Sequence, residues 1–467
     1  MKLVMKFGGT SLDNGEKIRH VAQLVKNYSH NNEIVVVASA MGGVTDQLVE
    51  LAENARQGDT RAVEKSVSSL RERHELAISD AVRDHEVRRT VSEYVKSTID
   101  ELEKSTTGVA VLRELTPRSE DRILSCGERL STPIVWGALT DLGIKAKYLT
   151  GGECGIITDD NFGDALPLIE VTKLQVKETL GPLFNSHIAP VITGYIASTQ
   201  NGEITTLGRG GSDFTATIVA FAIEADEVWI WSDVDGLMTA DPKIVPEARV
   251  LEEVSYAEAG EMAVFGAKAM HPRALEPAST QRIPVRIRNT FNPQNVGTKI
   301  SEGTKRDANQ IVKSVAVVKD VAVITVSGAS MVGRPGSAAR IFDVMGRNGV
   351  NILMISQSVS ESNISMVVKR SMVQRALNAL NIALLGRGEV KEVFSEDDVN
   401  VIAVIGAGMR GTPGIAAKVF GAVASNGINV RMIAQGSSEL NISFVVKENE
   451  SQEAVRVVHS AFELGKH

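Results

Sequence analysis

Short apolar runs alternate with amphipathic helical patterns through roughly the first 300 residues. Ile34–Ala38 and Ala189–Thr193 have the composition of buried strands. Between them, apolar residues recur every three or four positions, as in the segment 44–55. Such alternation is typical of an α/β fold with a largely parallel central sheet. We therefore predict that class of fold for residues 1–300.

Two helical segments lie inside this region. Residues 58–107 are charged, with few glycines and no proline, and we expect a solvent-exposed helical insertion that carries no chemistry. Ser119–Leu142 has the pattern of one long helix, although Gly127 lies in its interior. A mid-helix glycine costs about 1 kcal/mol relative to alanine, which close approach of another group can offset.

After a linker-like stretch at 292–306 the pattern changes to a repeat. Residues 321–369 and 399–447 align without gaps, each pair 78 positions apart, and more than half of the pairs are identical. Each copy has the order strand, glycine turn, helix, strand, strand, helix, which is typical of a ferredoxin-like βαββαβ unit. We predict one unit at 301–390 and another at 391–467, with exchange of strands between them possible.

Each repeat carries amide side chains at its strand ends. These either bind the polar groups of an amino acid or simply cap loops; they are Asn351, Gln357, Asn363, Asn429, Gln435 and Asn441. The second copy also contains a formal GxGxxG at 406–411, but we reject a dinucleotide site. The first copy has Ser330 at the middle glycine, and Asn429 stands where an acidic residue is needed.

The first glycine turn follows the first predicted strand. Lys6–Leu12 (KFGGTSL) gives strand, turn and helix in succession, although it is not a Walker A loop. Gly8 and Gly9 allow backbone N–H groups to approach an oxyanion. Lys6 offers a compact positive charge for a transferring phosphoryl group. The alternative is an ordinary glycine turn with a solvated lysine.

A second turn, Ser39–Thr45 (SAMGGVT), follows a neighbouring strand. Ser39 is a candidate to hydrogen-bond a phosphate, and Thr45 is a candidate to bind a polar substrate. Each residue is equally well explained as a helix cap with nothing bound. Ligands bind in open α/β sheets where such turns leave the carboxyl ends of strands. Glu128 in SCGERLS is a candidate partner for an ammonium group; its alternative is a surface Glu–Arg helix pair.

The third glycine turn, Thr206–Asp213 (TLGRGGSD), leads into another helix. Arg209 in this turn suits bidentate recognition of a carboxylate or phosphate. Ser212 and Asp213 cap the helix, and Asp213 is placed to orient Lys6 or a bound hydroxyl. A purely structural turn rarely needs both Arg209 and Asp213.

The acidic loop Ser232–Lys243 follows a strand and is a candidate nucleotide pocket. Asp233 or Asp241 would contact ribose or the metal–phosphate group, with Met238 against the base; a metal-free acidic turn is the alternative. Lys268, in FGAKAMHP, is either a second phosphate contact or an exposed lysine.

Composition narrows the class of protein. The net charge is −7 and no basic run is present, which argues against nucleic acid as a partner. Two cysteines without CxxC spacing fit a reducing compartment and argue against a structural zinc site or a disulfide framework. We expect no signal peptide, because residues 1–7 are already strand-like, and no apolar run reaches membrane-spanning length. We expect a cytoplasmic protein that binds neither membranes nor nucleic acid.

These motifs, in this order and followed by two ACT-like repeats, closely resemble the aspartate kinase family of the amino-acid kinase superfamily. The resemblance covers essentially the whole chain. It implies an amino-acid-kinase-like sandwich over 1–300 with the two ACT repeats after it. It also implies transfer of the γ-phosphoryl group of Mg·ATP to the β-carboxylate of L-aspartate. The product, 4-phospho-L-aspartate, leads toward lysine, threonine, methionine and isoleucine.

The resemblance also implies residue roles. Lys6, Gly8 and Gly9 would hold the migrating phosphoryl group. Arg209 would bind the α-carboxylate of aspartate and Glu128 its ammonium, with further contacts from Ser39, Thr45 and Ser212. The residues around ADP would be Ser232, Asp233, Met238, Asp241, Lys243 and Lys268. Ser232, Met238 and Lys243 depart from the usual Thr, Tyr and Arg of the family.

Regulation and assembly follow from the same resemblance. We expect threonine or lysine to bind the repeats as a feedback inhibitor, and the chain to form a homodimer or homotetramer through them. Mg²⁺ would be carried mainly by the ATP phosphates, without a dedicated protein site, and we expect no homoserine dehydrogenase domain. Two alternatives stay open: a kinase of another amino-acid carboxylate such as glutamate, and an inactive amino-acid sensor.

Overall fold

A computed structural model describes residues 1–266, 270–303, 310–360, 362–385 and 390–466, without the side chain of Ser330. The described residues form two compact units. The first comprises Met1–Leu237, Glu252–Tyr256 and the described part of 269–303. The second comprises Met238–Leu251 and the described parts of 257–268 and 304–467. None of the helices described is both long and apolar enough to cross a lipid bilayer.

The first unit is built on a mostly parallel sheet. Its strands are β1 Lys2–Phe7, β2 Glu33–Ala38, β3 Ala146–Leu149, β4 Ile157–Thr158, β5 Ala189–Thr193, β6 Ile196–Thr199, β7 Ile204–Thr206, β8 Glu227–Ser232, β9 Glu253–Ser255, β10 Val285–Asn289 and β11 Thr298–Ser301. Within the described residues, eight of them form one sheet in the order β3-β5-β2-β1-β8-β10-β11-β9. All neighbours in it are parallel except β10 and β11. Strands β4, β6 and β7 form a small separate sheet.

Helices follow most of these strands. They are α1 Gly15–Ser29, α2 Val44–Gln57, α3 Thr60–Ala81, α4 His85–Leu112, α5 Pro117–Leu124, α6 Cys126–Asp141, α7 Gly151–Cys154, α8 Ile169–Asn185, α9 Gly211–Ile223, α10 Tyr256–Val264 and α11 Glu276–Thr280. Short 3₁₀ turns occupy Gly9–Ser11 and Pro272–Leu275. One continuous apolar core joins β1 and β2 to α1–α6, while α9 is buried along its entire length. The predicted α/β fold is confirmed.

The segment 58–107 is helical, as expected, but only its outer surface faces solvent. Helix α3 buries Val63, Val67 and Leu70, and α4 buries Val91 and Ile99, all within the main core. Charged residues fill the opposite faces of both helices, and this is why the sequence alone resembled an exposed insertion. The expectation of a solvent-exposed segment therefore holds for the outer faces of these helices and is wrong for their inner faces, which belong to the core.

The predicted single helix at Ser119–Leu142 is divided into α5 and α6 at Ser125. The hydrophobic period continues across a one-residue interruption, so the pattern did not reveal it. Gly127 is explained by close packing: a Cβ at this position would lie 3.0 Å from the Ala40 Cβ and 3.3 Å from Leu48. The glycine brings α6 against the turn that follows β2.

The second unit contains both repeats in one sheet. Its elements after α10 are β12 Ser314–Ser327, α12 Ser337–Arg347, β13 Ile352–Gln357, β14 Asn363–Lys369, α13 Val373–Leu380, β15 Glu392–Ile405, α14 Ile415–Ser425, β16 Met432–Ala434, β17 Asn441–Lys447 and α15 Ser451–Ala461. A π-helical turn covers Asn381–Leu385. In the described residues the sheet has the order β13-β14-β12-β15-β17-β16. This arrangement confirms the predicted ferredoxin-like repeats.

The long strands β12 and β15 each serve both repeats. Residues 321–327 of β12 pair with β14, whereas 314–318 pair with the last part of β15. Accordingly Val315 lies in the core beneath α14 and α15, and Ile324 lies in the core beneath α12 and α13. In β15, Val393 packs against the core beneath α12 and α13, whereas Ile402 lies in the core beneath α14 and α15. The repeats therefore exchange their edge strands, which the sequence left open.

Candidate active site

The glycine turns meet because their strands are neighbours. β1 lies between β2 and β8 and runs parallel to both, with Lys6 opposite Val37 and Ile230. The carboxyl ends of all three strands thus lie at one edge of the sheet. The turns that follow them begin at Gly8, Ser39 and Ser232. This edge is where open parallel sheets bind ligands.

Lys6 at the end of β1 forms an ion pair with Asp213 in the first turn of α9. The Lys6 Nζ lies 2.6 Å from the Asp213 Oδ1, and each side chain is only 11% exposed. Helix α9 begins after Gly210, which has a left-handed φ of 72°. The N-terminus of a buried helix and an ammonium group therefore lie together, and both favour an anionic ligand.

The first glycine turn lies beside this pair. The Gly8 N–H donates to the Trp231 carbonyl oxygen at 3.2 Å, which ties the turn to β8 just before Ser232. A Cβ at Gly8 would lie 3.6 Å from the Lys6 Nζ. A Cβ at Gly9 would lie 3.0 Å from the Ala40 carbonyl oxygen. The two glycines thus allow the turn to approach both Lys6 and the neighbouring turn.

Glu128 reaches the second turn from α6. Its Oε1 accepts the Ala40 N–H at 3.1 Å, whereas its Oε2 is buried and lacks a hydrogen-bond partner within the described residues. Burial raises the pKa of Glu128 to about 8, which the hydrogen bond from Ala40 and the charge of Lys6 oppose. A buried carboxyl oxygen without a partner is suited to receive an ammonium group.

Two hydroxyl groups bring the second and third turns together. The Ser39 Oγ lies 3.2 Å from the Ser212 Oγ, and the Ser131 Oγ donates to the Ser39 carbonyl oxygen at 2.7 Å. A Cβ at Gly194 would lie only 2.6 Å from the Ser212 side chain, so this glycine leaves room for Ser212. Thr45 is exposed in the first turn of α2.

The loop that carries Arg209 is anchored from α5. Asp121 is fully buried, and its carboxylate accepts the Thr206 N–H at 3.0 Å, the Thr206 hydroxyl at 2.6 Å and the Gly163 N–H at 3.0 Å. Burial raises the pKa of Asp121, against the effect of these bonds. Arg209 itself is exposed on the loop. The guanidinium is therefore accessible, while its loop is held firmly.

The start of the acidic loop lies at the end of β8. The Ser232 Oγ donates to the Asp233 Oδ1 at 3.2 Å. Asp235 accepts hydrogen bonds from the side-chain amides of Asn289 at 2.8 Å and Asn292 at 3.2 Å. These bonds fix the first part of the loop against the end of β10.

Family comparisons agree with this geometry. The profile described as "Amino acid kinase family" matches residues 1–289, more than half of the chain.

The chain belongs to the amino acid kinase family.

An ACT domain profile matches residues 324–384 and 402–462, one match in each repeat of this amino acid kinase.

Relatives and solved structures extend the comparison over the full chain. Aspartokinase 2, chloroplastic, of Arabidopsis thaliana is 34% identical over 98% of this chain and 84% of its own length. A bifunctional aspartokinase/homoserine dehydrogenase 2, chloroplastic, of Zea mays is also 34% identical, and the chain covers 51% of it. Escherichia coli aspartokinase III in complex with aspartate and ADP superposes with a TM-score of 0.83 at 28% identity, covering 99% of each chain. The same enzyme with lysine and aspartate gives 0.82, covering 98% of this chain and 99% of that one.

Three other nucleotide residues predicted for this amino acid kinase, Met238, Asp241 and Lys243, lie in the second unit. Met238 accepts the Ser314 hydroxyl at its carbonyl oxygen, 3.0 Å away, and bridges to Val250. The Asp241 Oδ1 accepts the Lys243 N–H at 2.9 Å, and both side chains are exposed. Lys268 lies outside the described residues. Roles for these four residues stay predictions.

The predicted regulatory amides differ in their surroundings. Asn351, Gln357, Asn363, Asn429 and Gln435 are exposed, whereas Asn441 is partly buried.

Asn441 donates its side-chain amide to Glu261 of α10. Nearby, the Ala407 N–H donates to the Glu258 Oε1 at 2.8 Å. Two carboxylates of α10 thus contact the second repeat, Glu258 at its glycine turn and Glu261 at the start of β17.

Several contacts at the site of this amino acid kinase were missed from the sequence. Asp121 and Asp235 anchor loops, and Arg73 of α3 reaches the backbone of both the first and the second turn. Local patterns carry no signal for them, because their partners lie between 31 and 85 positions away. Only a folded chain reveals such contacts.

Proposed function

We propose that the chain is a feedback-regulated aspartate kinase that transfers the γ-phosphoryl group of ATP to the β-carboxylate of L-aspartate. The observation that carries this proposal is the Lys6–Asp213 ion pair, set among three glycine turns in a chain whose full-length relatives are aspartokinases. The product is 4-phospho-L-aspartate.

Catalysis rests on positioning and on neutralisation of charge. Phosphoryl transfer proceeds with charge spread over oxygen atoms, so a lysine and backbone N–H groups stabilise the transition state. Lys6 and the turn at Gly8 and Gly9 supply these groups. The β-carboxylate is already ionised near pH 7, so no general base is needed. Asp213 therefore orients the Lys6 ammonium.

Besides the reacting β-carboxylate, aspartate binds through its α-carboxylate and its ammonium group. Arg209 binds the α-carboxylate, since a guanidinium can donate two parallel hydrogen bonds to it. The Oε2 of Glu128 receives the ammonium. Ser39, Thr45 and Ser212 contribute hydroxyl groups from the second and third turns. A charged partner of this kind lowers the pKa of a buried carboxyl group, so Glu128 loses its proton as aspartate binds.

ATP binds with Mg²⁺ on its phosphates. Mg²⁺ usually keeps several waters and binds through one or two carboxylates and the substrate phosphates. Within the described residues, no group of three or more His, Cys, Asp or Glu side chains is arranged to hold a metal. Asp233, exposed just after β8, is a carboxylate that would fit such a partial role, whereas Asp213 is paired with Lys6. Around the nucleotide itself we propose Ser232, Asp233, Met238, Asp241, Lys243 and Lys268.

An amino acid, lysine or threonine, binds the first repeat as effector. A cavity of about 320 Å³ lies there between the glycine turn and Gln357, lined also by Arg334 and Ser337. At the equivalent position to Ser337 the second repeat has the larger Ile415. In the second repeat, Glu258 of α10 already accepts the Ala407 N–H of the glycine turn, and Glu261 accepts the side-chain amide of Asn441.

We also propose a cytoplasmic location and assembly into a homodimer or homotetramer through the repeats. Sedimentation of the purified chain tests the assembly, and a monomer at all concentrations would contradict it.

A hydroxamate assay with ATP and aspartate tests the reaction. The wild-type chain should form aspartyl hydroxamate, and Lys6→Ala should reduce turnover by several hundredfold or more, since a charge aimed at the transferring group is worth roughly 3–4 kcal/mol. Lys2→Ala, at the other end of the same strand, is the matched control and should stay active. Glutamate in place of aspartate tests the related kinase, and no product from folded protein would support an inactive sensor.

Thermal shift tests the effector site. Lysine or threonine should raise the melting temperature of the wild type, because a ligand that binds only the folded state stabilises it. Gln357→Ala should remove the shift, whereas Gln435→Ala, at the equivalent position in the second repeat, should keep it. The reverse pattern would place the effector in the second repeat.

A further inference from the structure

Arg73 of α3 contacts two of the glycine turns at once. Its Nη2 donates to the Gly42 carbonyl oxygen at 2.7 Å, to the Asp13 Oδ1 at 3.0 Å and to the Asp13 carbonyl oxygen at 3.2 Å. Asp13 directly follows the first glycine turn, Lys6–Leu12, and Gly42 lies in the second, Ser39–Thr45. One guanidinium therefore joins the end of the first turn to the middle of the second.

The two turns pack backbone against backbone at this point. A Cβ at Gly9 would lie 3.4 Å from the Gly42 Cα, and a Cβ at Gly42 would lie 2.7 Å from the Asp13 Oδ1. Because no side chain fits between the turns, their separation depends on the groups around them. Glu128 holds the beginning of the second turn at Ala40, and Arg73 holds its middle at Gly42.

We propose that Arg73 is a positioning residue for the phosphoryl transfer: it fixes the distance between the turn that holds the phosphoryl group and the turn that presents Thr45 to aspartate. This proposal rests on the proposed function of the two turns. Arg73 touches neither substrate; it acts through the backbone. A displacement of about 1 Å between reacting groups can lower a rate by about 100-fold, so a small relaxation of the turns is enough to matter.

The contribution of Arg73 to overall stability should be small. Its side chain is 32% exposed and that of Asp13 is 39% exposed, and ion pairs with this exposure stabilise proteins by less than about 1 kcal/mol. Asp13 also keeps a second partner, Lys17, at 3.1 Å. Loss of Arg73 is therefore expected to change the rate while the fold persists.

Arg71 offers a matched control on the same helix. Its side chain is also 32% exposed and it also forms ion pairs, but with Asp100 and Glu103 at 3.5 Å on the outer surface. Arg71→Ala thus removes the same side chain and the same charge without touching a turn.

The experiment compares steady-state kinetics of four full-length proteins: the wild type, Arg73→Ala, Arg73→Lys and Arg71→Ala. We expect Arg73→Ala to lower kcat at saturating substrates by about 10- to 100-fold, and Arg71→Ala to stay within about twofold of the wild type. Arg73→Lys should be intermediate, because lysine keeps the positive charge and several donors but its shorter side chain does not carry them as far as the Arg73 Nη2. Millimolar methylguanidinium should partly restore the kcat of Arg73→Ala and should leave the kcat of the other three proteins unchanged.

Two kinetic outcomes would contradict the proposal, and a second variant is available if Arg73→Ala does not fold. Equal kinetics of Arg73→Ala and Arg71→Ala would overturn it, as would a lower melting temperature in Arg73→Ala with an unchanged kcat. If Arg73→Ala does not fold, Asp13→Ala serves instead and should lower kcat while sparing the KM for ATP. Lys6→Ala, measured in parallel, separates the two proposals: if it stays active, the proposed site itself is wrong.

Discussion

Burial of Glu128 links residue chemistry to pH. Its pKa rises from 4.5 to about 8, chiefly through burial. As pH rises, the Glu128 carboxyl group loses its proton in the unfolded chain before it does so in the folded chain. The contribution of this group to the free energy of unfolding is therefore complete below pH 4.5 and is lost by about pH 8. Glu128→Gln should flatten the fall in the free energy of unfolding between pH 5 and 8 and raise the KM for aspartate. Urea titrations at several pH values measure the first effect; an unchanged slope would contradict it.

At the residue scale the sequence predicted the groups that lie in local motifs. Lys6, Gly8, Gly9 and Asp213 follow strands or begin helices, and such junctions have recognisable patterns. Arg73 was not predicted, because its partners are 31 and 60 positions away and its neighbours resemble an ordinary solvated helix face.

At the scale of elements, α5 controls the loop that presents Arg209. Asp121→Ala removes the carboxylate that accepts the N–H groups of Thr206 and Gly163 and the Thr206 hydroxyl. Leaving a buried donor unsatisfied costs about 1–3 kcal/mol, so unfolding should require less urea, and the KM for aspartate should rise as the loop loosens.

Asp100→Ala, which removes an exposed partner of Arg71 on α4, is the control and should change stability by less than about 0.5 kcal/mol. Equal effects of the two variants would show that Asp121 does not anchor the loop.

The order of the elements was predictable, but their interruptions were not. Strand and helix periods identified the α/β fold, while the break at Ser125 left the hydrophobic pattern intact. The buried faces of α3 and α4 were hidden by the many charges on their other faces.

At the scale of the second unit, the exchanged strands predict that the repeats unfold together. Ile402 is fully buried in the core beneath α14 and α15. Ile402→Ala should cost about 2–5 kcal/mol and lower the hydrogen-exchange protection of β17 and also of β14, since β12 and β15 connect them. Exposed Val359→Ala is the control and should change neither. Unchanged protection of β14 in Ile402→Ala would mean that the repeats open independently.

The repeats themselves were evident from their 78-residue offset, but the exchange was not. Residues 314–318 and 392–396 precede the aligned segments. Strands β12 and β15 therefore begin several residues before the part of the sequence that the two repeats share. Pairing across such a distance is decided by tertiary packing.

The exchange of strands β12 and β15 also determines where the region of the two repeats, called here the sensor, can be cut for transfer to another enzyme. A cassette that starts at Val321, the first residue shared by both copies, would leave the second lobe without its edge strand and expose a row of unpaired backbone groups. A graft that begins before Ser314 keeps both lobes closed. Half of the sensor, cut out alone, is expected to aggregate.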